Sequence, residues 1–174
     1  MQTSFYSVIY PPMIKSLEAL SGVLTKAATH AEAHKSPRLN YEEWFLNDRL
    51  VFNQMGLARQ VQIATDNAKN SIKRLTGADV PAFEDTETSF AQLIERVRKT
   101  IELMKEVRPE DVNDKEDIRV SLPYWGDQSL SGYEYATEYL IPNFYFHVTT
   151  AYAIIRKNGV AIGKSDYLGP LPLK

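Results

Sequence analysis

From Met13 onward the apolar residues Ile14, Leu17, Leu20, Val23, Leu24, Ala27 and Ala28 recur at helical spacing, which predicts a long first helix running to about His34. Pro11 and Pro12 before it read as the end of a short opening segment. Residues 35–40 contain Pro37 and read as a break, with a short helix expected over 41–46 around Trp44 and Phe45. The stripe Leu57, Val61, Ala64, Ala68, Ile72 and Leu75 predicts a second long helix that Gly77 closes. A third follows on Phe90, Leu93, Ile94, Val97, Ile101, Leu103 and Met104. The run Asp85-Thr86-Glu87-Thr88 offers it capping oxygens and early acidic residues, and Pro109 closes it.

The period then changes. Ile118, Val120 and Leu122 alternate, Gly126-Asp127 has turn chemistry, and residues 129–131 read as a returning strand. A two-stranded ribbon is marginal alone, so it must lean on the helices. A fourth long helix is expected over 133–157, kinked or divided at Pro142 and stopped by Asn158-Gly159. Residues 160–174 hold Gly163, Gly169, Pro170 and Pro172 and read as an irregular tail over the surface. Four long amphipathic helices with a small β-hairpin before the last make an all-α four-helix bundle in a single domain spanning 1–174.

Composition narrows the chemistry. The chain has no cysteine, which excludes disulfides, thiolate metal sites and cysteine nucleophiles. Twenty basic against 22 acidic residues leave a net charge of -2, without the basic surplus that nucleic-acid binding requires. The longest uncharged run, 139–155, contains Pro142, Asn143 and His147 and reads as a buried helix, so no membrane association is expected. No secretory signal is recognisable at the start, and a cytoplasmic location is the expectation. Phosphate loops, nucleophile elbows, His-Glu-x-x-His and dinucleotide fingerprints are absent.

Several polar residues fall on stripes that should face other helices: Gln60, Gln62 and Asp66 on the second long helix, and Asn143, His147, Thr150 and Tyr152 on the fourth. They predict a ligand pocket between the first, second and fourth long helices. His147, set among Phe144, Tyr145, Phe146 and Val148, is either a buried histidine satisfied by a neighbour or the polar centre of that cleft. His30 and His34 stand four apart on the first helix, where a pair can chelate a metal from one face. His34 alternatively reads as a solvated residue at the helix end. Arg59, Asp66 and Arg156 are either anion-reading groups or members of intramolecular ion pairs. Glu84, Asp85 and Glu87 read as capping residues.

The segments Leu57-Ala-Arg-Gln-Val-Gln-Ile-Ala64, Ala82-Phe-Glu-Asp-Thr-Glu-Thr-Ser-Phe90 and Pro142-Asn-Phe-Tyr-Phe-His-Val-Thr-Thr-Ala-Tyr-Ala153 resemble an uncharacterised family of DinB-like proteins, a domain of unknown function. The resemblance runs from the first helix to Gly169. It implies a DinB/YfiT-like four-helix bundle, often a homodimer, in a superfamily of proposed metalloenzymes and thiol-dependent transferases. There a divalent metal is held by one His on the second helix and a His-x-x-x-His pair on the fourth. In this chain those places read Gln60 or Gln62, Asn143 and His147, and amide oxygens are weak ligands for zinc or nickel. Three functions are therefore in play. The first is a small-molecule-binding bundle with a degenerate metal site. The second is a metal-dependent hydrolase or transferase using His30, His147 and Asn143 with zinc or nickel. The third is a purely structural homodimer.

Overall fold

A computed structural model describes residues 3–173; Lys174, the last residue of the expected tail, lies outside them. Helix α1 spans Phe5–Ala33, α2 Tyr41–Asn47, α3 Leu57–Thr76, α4 Phe90–Lys105 and α5 Pro109–Val112. Strands β1 (Arg119–Val120) and β2 (Leu130–Ser131) pair antiparallel, with Arg119 opposite Ser131 and Val120 opposite Leu130. Then come α6 (Gly132–Glu134), a π-helical stretch (Tyr135–Leu140), α7 (Ile141–Lys157) and α8 (Lys164–Leu168). The long helices form a ring in which α3 packs on α7 and α4, and α1 packs on α4 and α7. This is the all-α four-helix bundle, with its small hairpin, that the apolar stripes predict. Its core holds Ile9, Leu17, Leu24, Leu57, Val61, Leu93, Val97, Phe144 and Ile154, none more than 1 % exposed. Among the described residues, no helix is long and apolar enough to cross a membrane.

The first helix starts earlier than the prolines suggest. Ser4 caps it, with its Oγ accepting from the Ser7 amide at 3.3 Å and the Ser7 Oγ accepting from the Ser4 amide at 2.8 Å. Pro11 and Pro12 sit inside α1, and both are exposed, as is Val8. The carbonyls of Ser7 and Val8, which lose their usual donors, therefore lie on the hydrated side of the helix. The apolar stripe carries through unbroken from Phe5 to Ala31.

Two other boundaries move for identifiable reasons. Ser89, not the 85–88 run, caps α4, with Oγ accepting from the Gln92 amide at 3.2 Å. Pro109 opens α5, where its missing N–H costs nothing, and α4 has already ended at Lys105. Pro142 stands in the first turn of α7 and marks the expected junction between two pieces: the turn before it widens to π-helical spacing, and the Ile141 amide donates to the Ala136 carbonyl. The tail is less irregular than its glycines and prolines predict: Gly163 and Asp166 frame α8, which packs on α1, and Val160 and Ile162 are buried. Gly132 joins β2 to α6 where the Lys115 carbonyl passes so close that any Cβ would collide with it.

Candidate functional site: the α3–α7 seam and its flank

Because α3 and α7 run antiparallel, polar residues one turn or two apart on each meet as rungs across the seam. At one rung His147 Nδ1 and Gln60 Oε1 lie 2.7 Å apart. Gln60 is 1 % exposed, and its Nε2 donates to the Met55 carbonyl at 2.9 Å. That second bond fixes which end of the amide is the oxygen, so Nδ1 of His147 carries the proton and Nε2 keeps its lone pair. Burial lowers the pKa of His147, and the nearby Arg59 charge lowers it further, so the ring is neutral at physiological pH. At the next rung Asn143 Nδ2 donates to Asn67 Oδ1 at 3.2 Å. Asn67 is buried, and among the described residues its own Nδ2 has no acceptor.

Gln62, two residues beyond Gln60, faces the α4 side instead. Its Oε1 accepts from Arg59 Nη1 at 3.2 Å and its Nε2 donates to Glu87 Oε2 at 2.8 Å. This belongs to a second network centred on Arg96, whose side chain is 2 % exposed. Its Nε donates to Thr65 Oγ1 (2.7 Å), Nη1 to the Glu84 carbonyl (3.0 Å) and to Glu87 Oε1 (2.9 Å), and Nη2 to Asp66 Oδ1 (2.9 Å). Asp85 Oδ1 lies 3.0 Å from Nη2, and Asp85 also pairs with Arg59. The carboxylates that read as helix caps thus tie the 78–89 connection to α3 and α4. Lys69 completes the cluster: its ammonium donates to the Pro81 carbonyl at 2.8 Å and lies 4.4 Å from the centre of the Phe83 ring. Burial lowers the Lys69 pKa, against the raising pull of Asp66.

The predicted residues are therefore distributed over three places. Gln60, Asn143 and His147 meet on the seam, joined by Asn67, while Gln62 and Asp66 belong to the Arg96 network. Thr150 is buried and donates to the Phe146 carbonyl of its own helix at 2.7 Å. Tyr152 packs edge-on against Tyr167 of α8, ring centres 5.6 Å apart. Arg156 donates to the Val160 carbonyl at 3.3 Å. A groove of about 670 Å³ opens elsewhere, between the end of α1, the 35–40 connection and the start of α4, walled in part by Ala31, Leu39, Tyr41 and Phe90.

His30 lies at the far end of α7, with its Cε1 beside Gly159. Burial lowers its pKa, as does the charge of His34, while the Asn158 carbonyl raises it. Asn158 stands eleven residues beyond His147, about 16 Å along a helix. His30, His147 and Asn143 are thus not gathered around one point. Among the described residues no three His, Asp or Glu side chains group to hold a metal. On the seam itself the Gln60 amide is already committed to His147 and Met55, so the donor set does not fit the three-ligand site of the superfamily.

Arg96 and Lys69 were missed by sequence reasoning. Their signal is a charged residue on an apolar stripe: Arg96 interrupts Leu93, Val97, Thr100 and Met104, all buried, and Lys69 lies beside Ala68 and Ile72.

Comparison with known proteins places this architecture. The family model described as Domain of unknown function (DUF1993) matches residues 5–168. No curated protein matches. The chain is similar to the crystal structure of a DinB family member from Shewanella denitrificans, at 40% identity and a TM-score of 0.89, over 97% of this chain and 94% of that one. The 164 matched residues take in every long helix, both rungs of the seam and the Arg96 network, and the chain belongs to this uncharacterised DinB-like family, DUF1993.

Proposed function

We propose that the chain is a binding bundle that takes a small polar molecule at the α3–α7 seam without a metal. The observation that carries this reading is the buried Asn67 Nδ2, a donor with no acceptor in a seam otherwise paired rung by rung. An unsatisfied buried donor costs about 1–3 kcal/mol, which a ligand carbonyl or carboxylate oxygen would recover. His147 supports the same reading, because its Nδ1 proton is held by Gln60 and its Nε2 remains able to accept a hydrogen bond from a ligand. A metal-dependent hydrolase or transferase has less support, since only one imidazole stands on the seam and its amide neighbour is already committed.

A screen of carboxylates and amides for a rise in melting temperature tests the proposal. A hit whose stabilisation disappears in both His147→Ala and Asn67→Ala supports it. Stabilisation unchanged in both variants, or the lack of any hit at millimolar ligand, counts against it.

A second reading, the homodimer, is favoured by exposed apolar side chains on the 50–55 connection and on α7. Phe52 is 87 % exposed, Val51 56 %, Met55 57 % and Phe146 54 %. Met55 supplies the carbonyl that holds Gln60, and Phe146 packs edge-on against His147, so these residues border one site. We propose that a second copy covers them. Sedimentation at micromolar concentration should give a dimer that Phe52→Glu dissociates, and a monomer at all concentrations would remove this reading.

A further inference from the structure

We propose that His30 and His34 form a two-imidazole site for a divalent transition-metal ion of the nickel, copper and zinc class, separate from the α3–α7 seam. The pair closes the C-terminal end of α1, with ring centres 4.2 Å apart and planes tilted by 31°. Two imidazole nitrogens bound at right angles to one ion, each 2.0–2.1 Å from it, place their ring centres roughly 4.5 Å apart. The observed 4.2 Å separation is close to that value.

Protonation follows from the backbone. His34 Nδ1 lies 2.8 Å from the His30 carbonyl, which can only accept, so Nδ1 carries the hydrogen and Nε2 keeps a lone pair. Asn158, at the end of α7, brings a backbone carbonyl near the His30 ring. An imidazole whose other nitrogen donates to a carbonyl is the usual outer support of a metal ligand, because it fixes the tautomer and raises ligand basicity.

The surroundings fix the rings and admit the ion. The Tyr41 ring lies 6.1 Å from His30 and 5.6 Å from His34, and Phe45 is 6.5 Å from His30, so α2 walls one side of the pair. On the other side is Gly159, with no side chain to crowd His30. His34 is exposed, which leaves room for water to complete the coordination. The negative end of the α1 dipole lies at the pair and favours a cation. Lys35, the nearest lysine along the chain, is paired with Glu32 at 3.3 Å.

Titration of the full chain, freed of any polyhistidine tag, with Ni(II) and Cu(II) tests the site by calorimetry and by imidazole NMR. The expected result is one equivalent bound with a micromolar dissociation constant, and selective broadening of the His30 and His34 ring signals by Cu(II). His34→Ala, an exposed substitution that leaves the core untouched, and His30→Asn should each weaken binding roughly tenfold or more. Broadening of His147 instead, affinity unchanged in His34→Ala, or no binding up to millimolar metal would each overturn the proposal.

Discussion

Removing the Arg96 guanidinium should be the most damaging single change on the α4 face. In Arg96→Met the stem is replaced by apolar volume, and five partners lose their donor: Thr65, the Glu84 carbonyl, Asp66, Asp85 and Glu87. Breaking a buried ion pair from one side costs about 3–5 kcal/mol. The three carboxylates are not equally trapped, because Asp66 and Asp85 retain 30 % and 36 % exposure and can rehydrate, whereas Glu87 retains only 12 %. The low end, about 3 kcal/mol, is therefore expected. For a chain of this size it corresponds to a fall in melting temperature of roughly 6–12 °C. Urea unfolding followed by circular dichroism should show a lowered midpoint at an unchanged slope. Arg96→Lys should recover little, since one ammonium cannot reach acceptors on both α3 and the 78–89 connection. A loss below about 1 kcal/mol in Arg96→Met would refute the reasoning, by showing that the network is no stronger than an exposed ion pair.

Gly132→Ala should cost about 1–3 kcal/mol or more in the same urea assay, because the Lys115 carbonyl must give way to the new methyl group. Gln60→Ala leaves the His147 Nδ1 proton and the Met55 carbonyl without partners and should lower stability by about 1–3 kcal/mol, measured by thermal unfolding. The lowered pKa of His147 carries a sign: below about pH 6.5 the unfolded chain takes up a proton that the folded one resists. The stability difference between the native chain and His147→Gln is therefore full above that pH and shrinks as pH falls. Asp48 behaves in the same direction at lower pH. Burial pushes its carboxyl up, but hydrogen bonds from Lys157 and Asn158 outweigh this and hold it below the usual range. The advantage over Asp48→Asn should be present above about pH 3.9 and disappear as pH falls through the folded value.

The helices were legible because their stripes obey one period, and Leu57 to Leu75 lies on the buried face almost residue for residue. Where the reading slipped, a local rule met a tertiary circumstance. Pro11 and Pro12 would stop a helix in isolation, yet on a solvated face they cost α1 little. The junction at Pro142 was expected, but not the π-helical turn before it, which no residue in it announces. Asp85 and Glu87 have the composition of a helix cap, but Arg96, a residue buried out of pattern, claims them.

The seam was legible in part. Gln60 and His147 were marked as polar on core-facing stripes, and the superfamily pattern singled out their positions. Asn67 was not marked, because an asparagine in a long polar helix carries no sign that it meets Asn143 across the bundle. Tyr152 reads as one of the polar residues on a core-facing stripe, yet its place five residues beyond His147 turns it towards α8, where it packs on Tyr167.

The central claim is that the seam is closed by an amide–imidazole link where the superfamily places a metal. Nitrogen-15 NMR of the His147 ring tests it most directly. The account predicts a neutral ring protonated at Nδ1, with that proton slow to exchange and lost as a distinct signal in Gln60→Ala. It also predicts that one equivalent of Zn(II) leaves the His147 nitrogens unshifted. A ring protonated at Nε2, or a zinc-induced shift of His147, would contradict it.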